Sequence, residues 1–138
     1  MNKERWFNKI VRDGCYVYYD KVELSSKQVA LINFTQNIKE KEYLYSVAFN
    51  ISNKKRHFVE ETISTGRCGL EGLIWAKNKI LEFEKWLMED TWRSDSKKKI
   101  KIEIKWADQR RRKVYMWAMT RHGYKFDPYQ KRIFKIIN

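Results

Sequence analysis

Residues 99–106, KIKIEIKW, place isoleucine or tryptophan at every second position and a charged residue at the others. A period of two is typical of a β-strand with one buried and one polar face. Residues 70–87, in contrast, repeat their apolar side chains at the spacing of an amphipathic helix. Because the chain carries both periods in succession, it must pack helices on a sheet, and we expect an α+β fold.

The remaining segments predict mainly strands. Residues 27–36 are ambiguous, since Ser25 and Ser26 could cap a helix, but their β-branched content favours a strand. The other predicted elements are one or two helical turns within residues 2–12, a strand over 15–24, an antiparallel hairpin of 42–52 with 56–64, a helix over 108–121 that stops at Gly123, and two final strands joined by a turn at Asp127-Pro128.

The length of 138 residues and the 43% of hydrophobic residues fit one domain, spanning residues 1–138, with a single core. No apolar run approaches the roughly 20 residues needed to cross a bilayer, so we expect a cytoplasmic protein without a membrane partner. Cys15 and Cys68 are expected to be free, buried or half-buried thiols. The two histidines, His57 and His122, lack metal-ligand spacing, so no structural zinc is expected.

Positive charge is concentrated near the C-terminus. Residues 97–138 contain 14 Lys and Arg against 3 Asp and Glu, a net charge of 14 − 3 = +11 out of +13 for the whole chain. Such a field attracts phosphate groups, whether they belong to a nucleic acid or to a phosphorylated cofactor. A solvated basic surface that keeps a small protein soluble is the simpler interpretation.

Three glycines, Gly66, Gly69 and Gly72, lie just before and within the first turn of the predicted helix, with Arg67 between the first two. Glycines at a helix start let an anion approach unpaired N–H groups, and Arg67 could add a bidentate contact. Alternatively, Gly69 and Gly72 form with Ala76 a stripe of small residues that lets the helix lie close to the sheet. The phosphate-binding patterns GxxxxGK[ST] and GxGxxG are both absent.

The order of strands, glycine-rich turn with arginine, helix, strand, helix and Gly123-Tyr124 resembles the GNAT superfamily of N-acetyltransferases from about residue 43 to the C-terminus. The resemblance implies a GNAT-like mixed, mostly antiparallel central sheet with flanking helices. It also implies that acetyl-coenzyme A is the cofactor. Its pyrophosphate would be held by the backbone of the turn, namely by Gly66, Arg67, Cys68, Gly69 and Leu70.

The resemblance further implies transfer of an acetyl group to an amine-bearing substrate. Glu61 is the candidate base, although the pair Glu60-Glu61 also fits a solvated strand end. The family often places a tyrosine four residues before the Gly-aromatic pair, where it can protonate the leaving thiolate. Met119 occupies that position here, and Tyr115, one helical turn earlier, is the candidate replacement.

The alternative is a basic module that binds nucleic acid through residues 97–138, without catalysis. The cluster 110–113, RRRK, offers phosphate contacts, and Trp106, Tyr115 and Trp117 could stack on bases. For Trp106 and Trp117, the favoured interpretation is that they anchor a core between strand and helix. A small regulatory protein is a third possibility for which the sequence has no positive feature.

Overall fold

The computed structural model describes residues 7–52, 69–89, 99–105, 116–129 and 132–137. These residues form one mixed sheet and two helical segments, so the class is α+β, as predicted. The strands are β1 (Asn8–Arg12), β2 (Cys15–Glu23), β3 (Val29–Ile38), β4 (Glu42–Ser52), β5 (Lys99–Lys105), β6 (Lys125–Asp127) and β7 (Arg132–Ile136); the helix α1 is Gly69–Glu89, and a short helix over 116–119 continues into a 3₁₀ turn at Thr120–His122.

The seven strands lie in the order β1-β2-β3-β4-β5-β7-β6. Strands β1 to β4 form an antiparallel meander, and β5, β7 and β6 are also antiparallel to one another. In this described sheet only β4 and β5 pair in parallel. A parallel pair needs a crossover connection, and α1 lies in the sequence between these two strands.

Strand β1 corrects the prediction of helical turns within residues 2–12, because Asn8–Arg12 pair with β2. Asp13 and Gly14 join the two strands, both with positive φ, 51° and 79°. Two consecutive residues with positive φ make a tight hairpin turn whose twist matches that of the strands, and Asp-Gly is a preferred pair for it. This local turn fixes Asn8–Arg12 as a strand.

Strand β4 has the alternation that was predicted for it. Its odd-numbered side chains from Tyr43 to Ile51 are buried on the face of the sheet that packs against α1. The strand predictions for 15–24, 27–36 and 99–106 are confirmed within the described residues. The predicted strand 56–64, which was to pair with β4, lies outside them.

Helix α1 buries the predicted apolar side, with Phe83 at the centre of the core. The Phe83 ring stacks on Phe34 with centroids 4.0 Å apart, and it meets Phe7 and Tyr45 edge-on at 5.2 Å. Lys79 Nζ lies 2.6 Å from Asp20 Oδ2, which ties the helix to β2. The helix is therefore fixed on the sheet by aromatic packing and an ion pair.

Gly72 supports the interpretation of the glycines as a close-packing stripe. A Cβ atom at this position would overlap Ile51 Cδ1 and lie 3.2 Å from Phe49 Cζ. The first turns of α1 therefore lie directly against the C-terminal part of β4. Any side chain at residue 72 would lift the helix from the strand or displace Ile51.

Gly72→Ala combines two opposed effects, and Ile51→Val should separate them. Alanine favours the helix by about 1 kcal/mol, while overpacking costs about 1–3 kcal/mol. We expect Gly72→Ala to destabilise the wild-type protein and to become neutral or stabilising when Ile51→Val removes the overlapping methyl group. Urea unfolding of the four proteins should give a coupling of about 1 kcal/mol. An unchanged effect in both backgrounds would contradict this contact.

Candidate functional site

The C-terminal part of β4 extends beyond its parallel partner in the part of the chain that the structure describes. The parallel register runs from Glu42 opposite Lys99 to Val47 opposite Ile104, whereas β4 continues to Ser52. Among the described residues, none of β5 is paired with residues 48–51, which we call the open segment. The open segment belongs to a strand in the middle of the sheet and begins where the parallel pair ends.

The direction of the backbone groups in the open segment follows from the hydrogen bonds at the other end of β4. The carbonyl of Glu42 accepts from Lys39 on the β3 side (2.8 Å), and the carbonyl of Lys41 accepts from Lys99 on the β5 side (3.1 Å). Successive residues of a strand direct their N–H and C=O groups to opposite neighbours. Phe49 and Ile51 therefore direct these groups away from β3, to the side on which β5 pairs with the first half of β4.

Helix α1 begins beside the open segment. Its positive N-terminal end is near β4 because Gly72 packs on Phe49 and Ile51. Glu71, in the first turn, accepts hydrogen bonds from Ser25 Oγ (2.7 Å) and from the Ser25 backbone N–H. The Glu71 carboxylate is thus engaged by the loop between β2 and β3.

A small apolar cavity of about 20 Å³ lies at the end of the parallel pair, between the sheet, α1 and the short helix. Val47 and Ile104, the last residues of the parallel register, line it together with Met119. Met119 is 2% exposed. The position that the resemblance assigns to a thiolate-protonating tyrosine therefore lies at this cavity, with a thioether in place of a phenol.

Most of the predicted site residues lie outside the described residues: Glu61, Gly66, Arg67, Cys68 and Tyr115. Gly69 and Leu70 form the start of α1. The structure therefore describes the helix start and the strand beside it. The contacts predicted for the turn remain predictions.

Three charged or polar groups meet between α1, the 3₁₀ turn and β7, and the sequence had pointed only to Tyr124 among them, as part of the Gly-aromatic pair. Tyr124 Oη donates to Glu84 Oε2 (2.9 Å), and Lys135 Nζ lies 2.7 Å from Glu84 Oε1. Glu84 and Tyr124 are 9% and 2% exposed. A sequence signal existed, because Glu84 falls on the apolar stripe, four residues after Ile80 and three before Leu87. We call these three residues the Glu84 triad.

The Glu84 triad should make the free energy of unfolding fall with pH in the alkaline range. Burial, reinforced by the charge of Glu84, raises the pKa of Tyr124 well above its usual value of 10.0. The folded protein thus keeps a proton that an unfolded tyrosine releases above about pH 10, so stability is full below that pH and falls as pH rises. We expect the unfolding midpoint to fall less steeply with pH in Tyr124→Phe than in the wild type. Equal slopes would contradict a retained proton.

A second buried charge lies on the other face of the sheet. Glu103 is 1% exposed, is paired with Arg132 and accepts a hydrogen bond from Ser46 Oγ (2.9 Å). The predicted charged face of residues 99–106 is thus only partly solvated, since its central carboxylate is compensated by a β7 cation. Strand β5 can therefore lie inside the sheet, between β4 and β7.

The interpretation of the two tryptophans as core anchors is wrong for Trp117. It is 58% exposed, while the next two residues, Ala118 and Met119, are 7% and 2% exposed. Successive helical residues point about 100° apart, so the side that buries Met119 leaves Trp117 outside. Trp106 lies outside the described residues.

Comparisons with protein families, with characterised proteins and with solved structures gave no match to this chain. Within the described residues, no helix has both the length and the apolar character needed to span a membrane. The class that the fold defines is an α+β protein with a mixed, mostly antiparallel sheet.

Proposed function

We propose that the chain is a GNAT-like N-acetyltransferase that binds acetyl-coenzyme A along the open segment of β4. The observation that carries the proposal is the start of α1 against the open segment, just beyond the only parallel pair of the described sheet. Crevices beyond the carboxyl ends of parallel strands, where the sheet topology changes, are favoured ligand sites.

The chemistry of coenzyme A suits both parts of this site. Its pantetheine arm carries amide groups that can pair with the backbone of Phe49 and Ile51, as a peptide does when it adds to a strand edge. The side-chain oxygen of Asn50, also in the open segment, is buried and has no hydrogen-bond partner among the described residues. Such an acceptor can receive a ligand N–H group.

The order of elements agrees with the resemblance from β4 onward. After β4 come the glycine-rich stretch, α1, an internal strand β5, and a helix that ends at Gly123-Tyr124 before the last two strands. Gly123 has a φ of 91°, and its N–H donates to the Thr120 carbonyl, which closes the 3₁₀ turn. The Gly-aromatic pair thus ends the second helical segment, as the resemblance implies.

In the proposed reaction, the neutral amine of the acceptor attacks the thioester carbonyl. The new C–N bond forms as the C–S bond breaks, Glu61 takes the proton lost by the amine, and the thiolate takes a proton from Tyr115. The N–H groups that lead into α1, together with Arg67, would hold the pyrophosphate. Val47, Ile104 and Met119, where the parallel pair ends, would contact the thioester.

Titration calorimetry with coenzyme A tests the proposal. We expect binding by the wild-type protein, a rise in thermal stability of about 2.7 kcal/mol at a ligand concentration of 100 times Kd, and clear weakening by Arg67→Ala. Lys21→Ala, which removes one exposed positive charge from β2, is the matched control and should bind as the wild type does. The proposal would be refuted if the wild-type protein gave no heat of binding and no thermal shift with coenzyme A.

A further inference from the structure

Trp117 and Arg121 form an exposed flat surface on the short helix and the 3₁₀ turn. The Arg121 guanidinium carbon lies 5.4 Å from the centroid of the indole ring, and both residues are exposed. An indole that is 58% exposed is unusual, since tryptophan is on average highly buried. We call this pair the Trp117 platform.

The platform is held in place from its inner side. Ala118 and Met119 are buried in the core, and Thr120 Oγ1 donates to the Met116 carbonyl (2.6 Å). Tyr124 follows His122 by two residues, and its hydroxyl group donates a hydrogen bond to Glu84. The indole is therefore presented to solvent by a helix turn that is anchored on both sides, and its exposure follows from the packing of its neighbours.

The surroundings of the platform in sequence are strongly basic. Residues 97–138 carry a net charge of 14 − 3 = +11. In the described part of this segment, Arg121 and, four residues later, Lys125 are exposed. Cations next to an exposed aromatic ring favour a ligand that has both phosphates and a flat face, because phosphates pair with the cations while the ring stacks.

We infer that the Trp117 platform binds an unpaired base of a single-stranded nucleic acid, with Arg121 pairing with its phosphates. Bases in a duplex are covered on both faces by their neighbours and cannot stack on a side chain, so single strands should bind better than duplexes. This inference is independent of coenzyme A, because it concerns a separate surface on the outer side of the short helix.

Fluorescence anisotropy with labelled oligothymidylate and oligouridylate of about 12 nucleotides, and with a duplex of equal length, tests this inference. We expect Trp117→Ala to weaken single-strand binding about tenfold. Tyr129→Ala, which removes a ring that is 94% exposed, should leave it nearly unchanged. Arg121→Gln should weaken binding more than Lys39→Gln, which removes the same charge from the far end of the sheet, and circular dichroism checks that each variant is folded.

Several outcomes would overturn the inference. The first is equal affinity of Trp117→Ala and Tyr129→Ala for the single strand, and the second is equal affinity of the wild-type protein for the single strand and the duplex. The third is tighter binding of polyglutamate than of the single strand, which would indicate an acidic protein partner. Coenzyme A binding that depends on Trp117 would also overturn it, by assigning the platform to the adenine of the cofactor. Coenzyme A binding that is unchanged in Trp117→Ala is expected, so the two proposals can fail separately.

Discussion

Glu84→Ala is expected to lower the free energy of unfolding by about 3 kcal/mol or more. The substitution leaves the Lys135 ammonium group beside the core without its counter-charge and the buried Tyr124 hydroxyl without its acceptor. Both losses are costly because groups taken out of water keep their desolvation penalty when a partner is removed. Urea or thermal unfolding followed by circular dichroism measures the change.

The control for this prediction replaces the charged pair as a whole. The double variant Glu84→Leu with Lys135→Met removes both charges and fills the space with apolar atoms, which is often neutral in other buried pairs. We expect it to be clearly more stable than Glu84→Ala. A Glu84→Ala protein that loses less than about 1 kcal/mol would show that the triad behaves like a solvated surface pair.

In a Tyr115→Phe background, which lacks the proposed proton donor, Met119→Tyr is expected to raise the rate of acetyl transfer about a hundredfold, the lower end of the range for a well-placed general acid. Met119 lines the cavity at the end of the parallel pair, where the proposed function places the thioester. A phenol at this point can give a proton to the leaving thiolate, which a thioether cannot do. The measurement is thiol release from acetyl-coenzyme A in the presence of a mixture of amines.

Met119→Phe is the matched control, because it adds the same ring without the hydroxyl group. Both variants share the cost of overpacking a buried position, about 1–3 kcal/mol, and that cost is checked by thermal unfolding. An equal rate in the two variants would mean that no proton is needed at this point. The thioester would then have to lie elsewhere.

The sequence was sufficient to predict elements whose period is unambiguous. Residues 99–106 and 70–87 became β5 and α1 because the period matches the face that each element buries. Strand β1 was mispredicted because Trp6, Phe7 and Ile10 also fit helical spacing. The Asp13-Gly14 turn outweighs that pattern, since it directs the chain straight back along β2.

The buried charges were harder to predict because their partners are distant in sequence. Glu84 is 40 and 51 residues away from Tyr124 and Lys135, and Glu103 is 57 residues away from Ser46. Local periodicity can show that a carboxylate falls on a buried face, as it does for Glu84. It cannot show which cation the fold brings to it, and so it cannot distinguish a solvated charge from a compensated one.

Gly72 illustrates the same limit for the candidate site. The sequence left two roles open for the glycines, anion binding and close packing of the helix on the sheet. For Gly72, the contact with Ile51 favours close packing, and Ile51 lies on a strand whose register is set by β3. For Gly66 and Gly69, the anion-binding role remains a prediction. The binding of a coenzyme therefore has to be tested on the strand that the structure does describe.

Amide hydrogen exchange of β4, measured residue by residue by NMR with and without acetyl-coenzyme A, tests whether the coenzyme docks on this strand. The amides of Phe49 and Ile51 point away from β3, whereas that of Asn50 faces β3. We expect slower exchange at Phe49 and Ile51 when the coenzyme is added, with little change at Asn50. Unchanged exchange at both Phe49 and Ile51 under saturating coenzyme would contradict docking on β4.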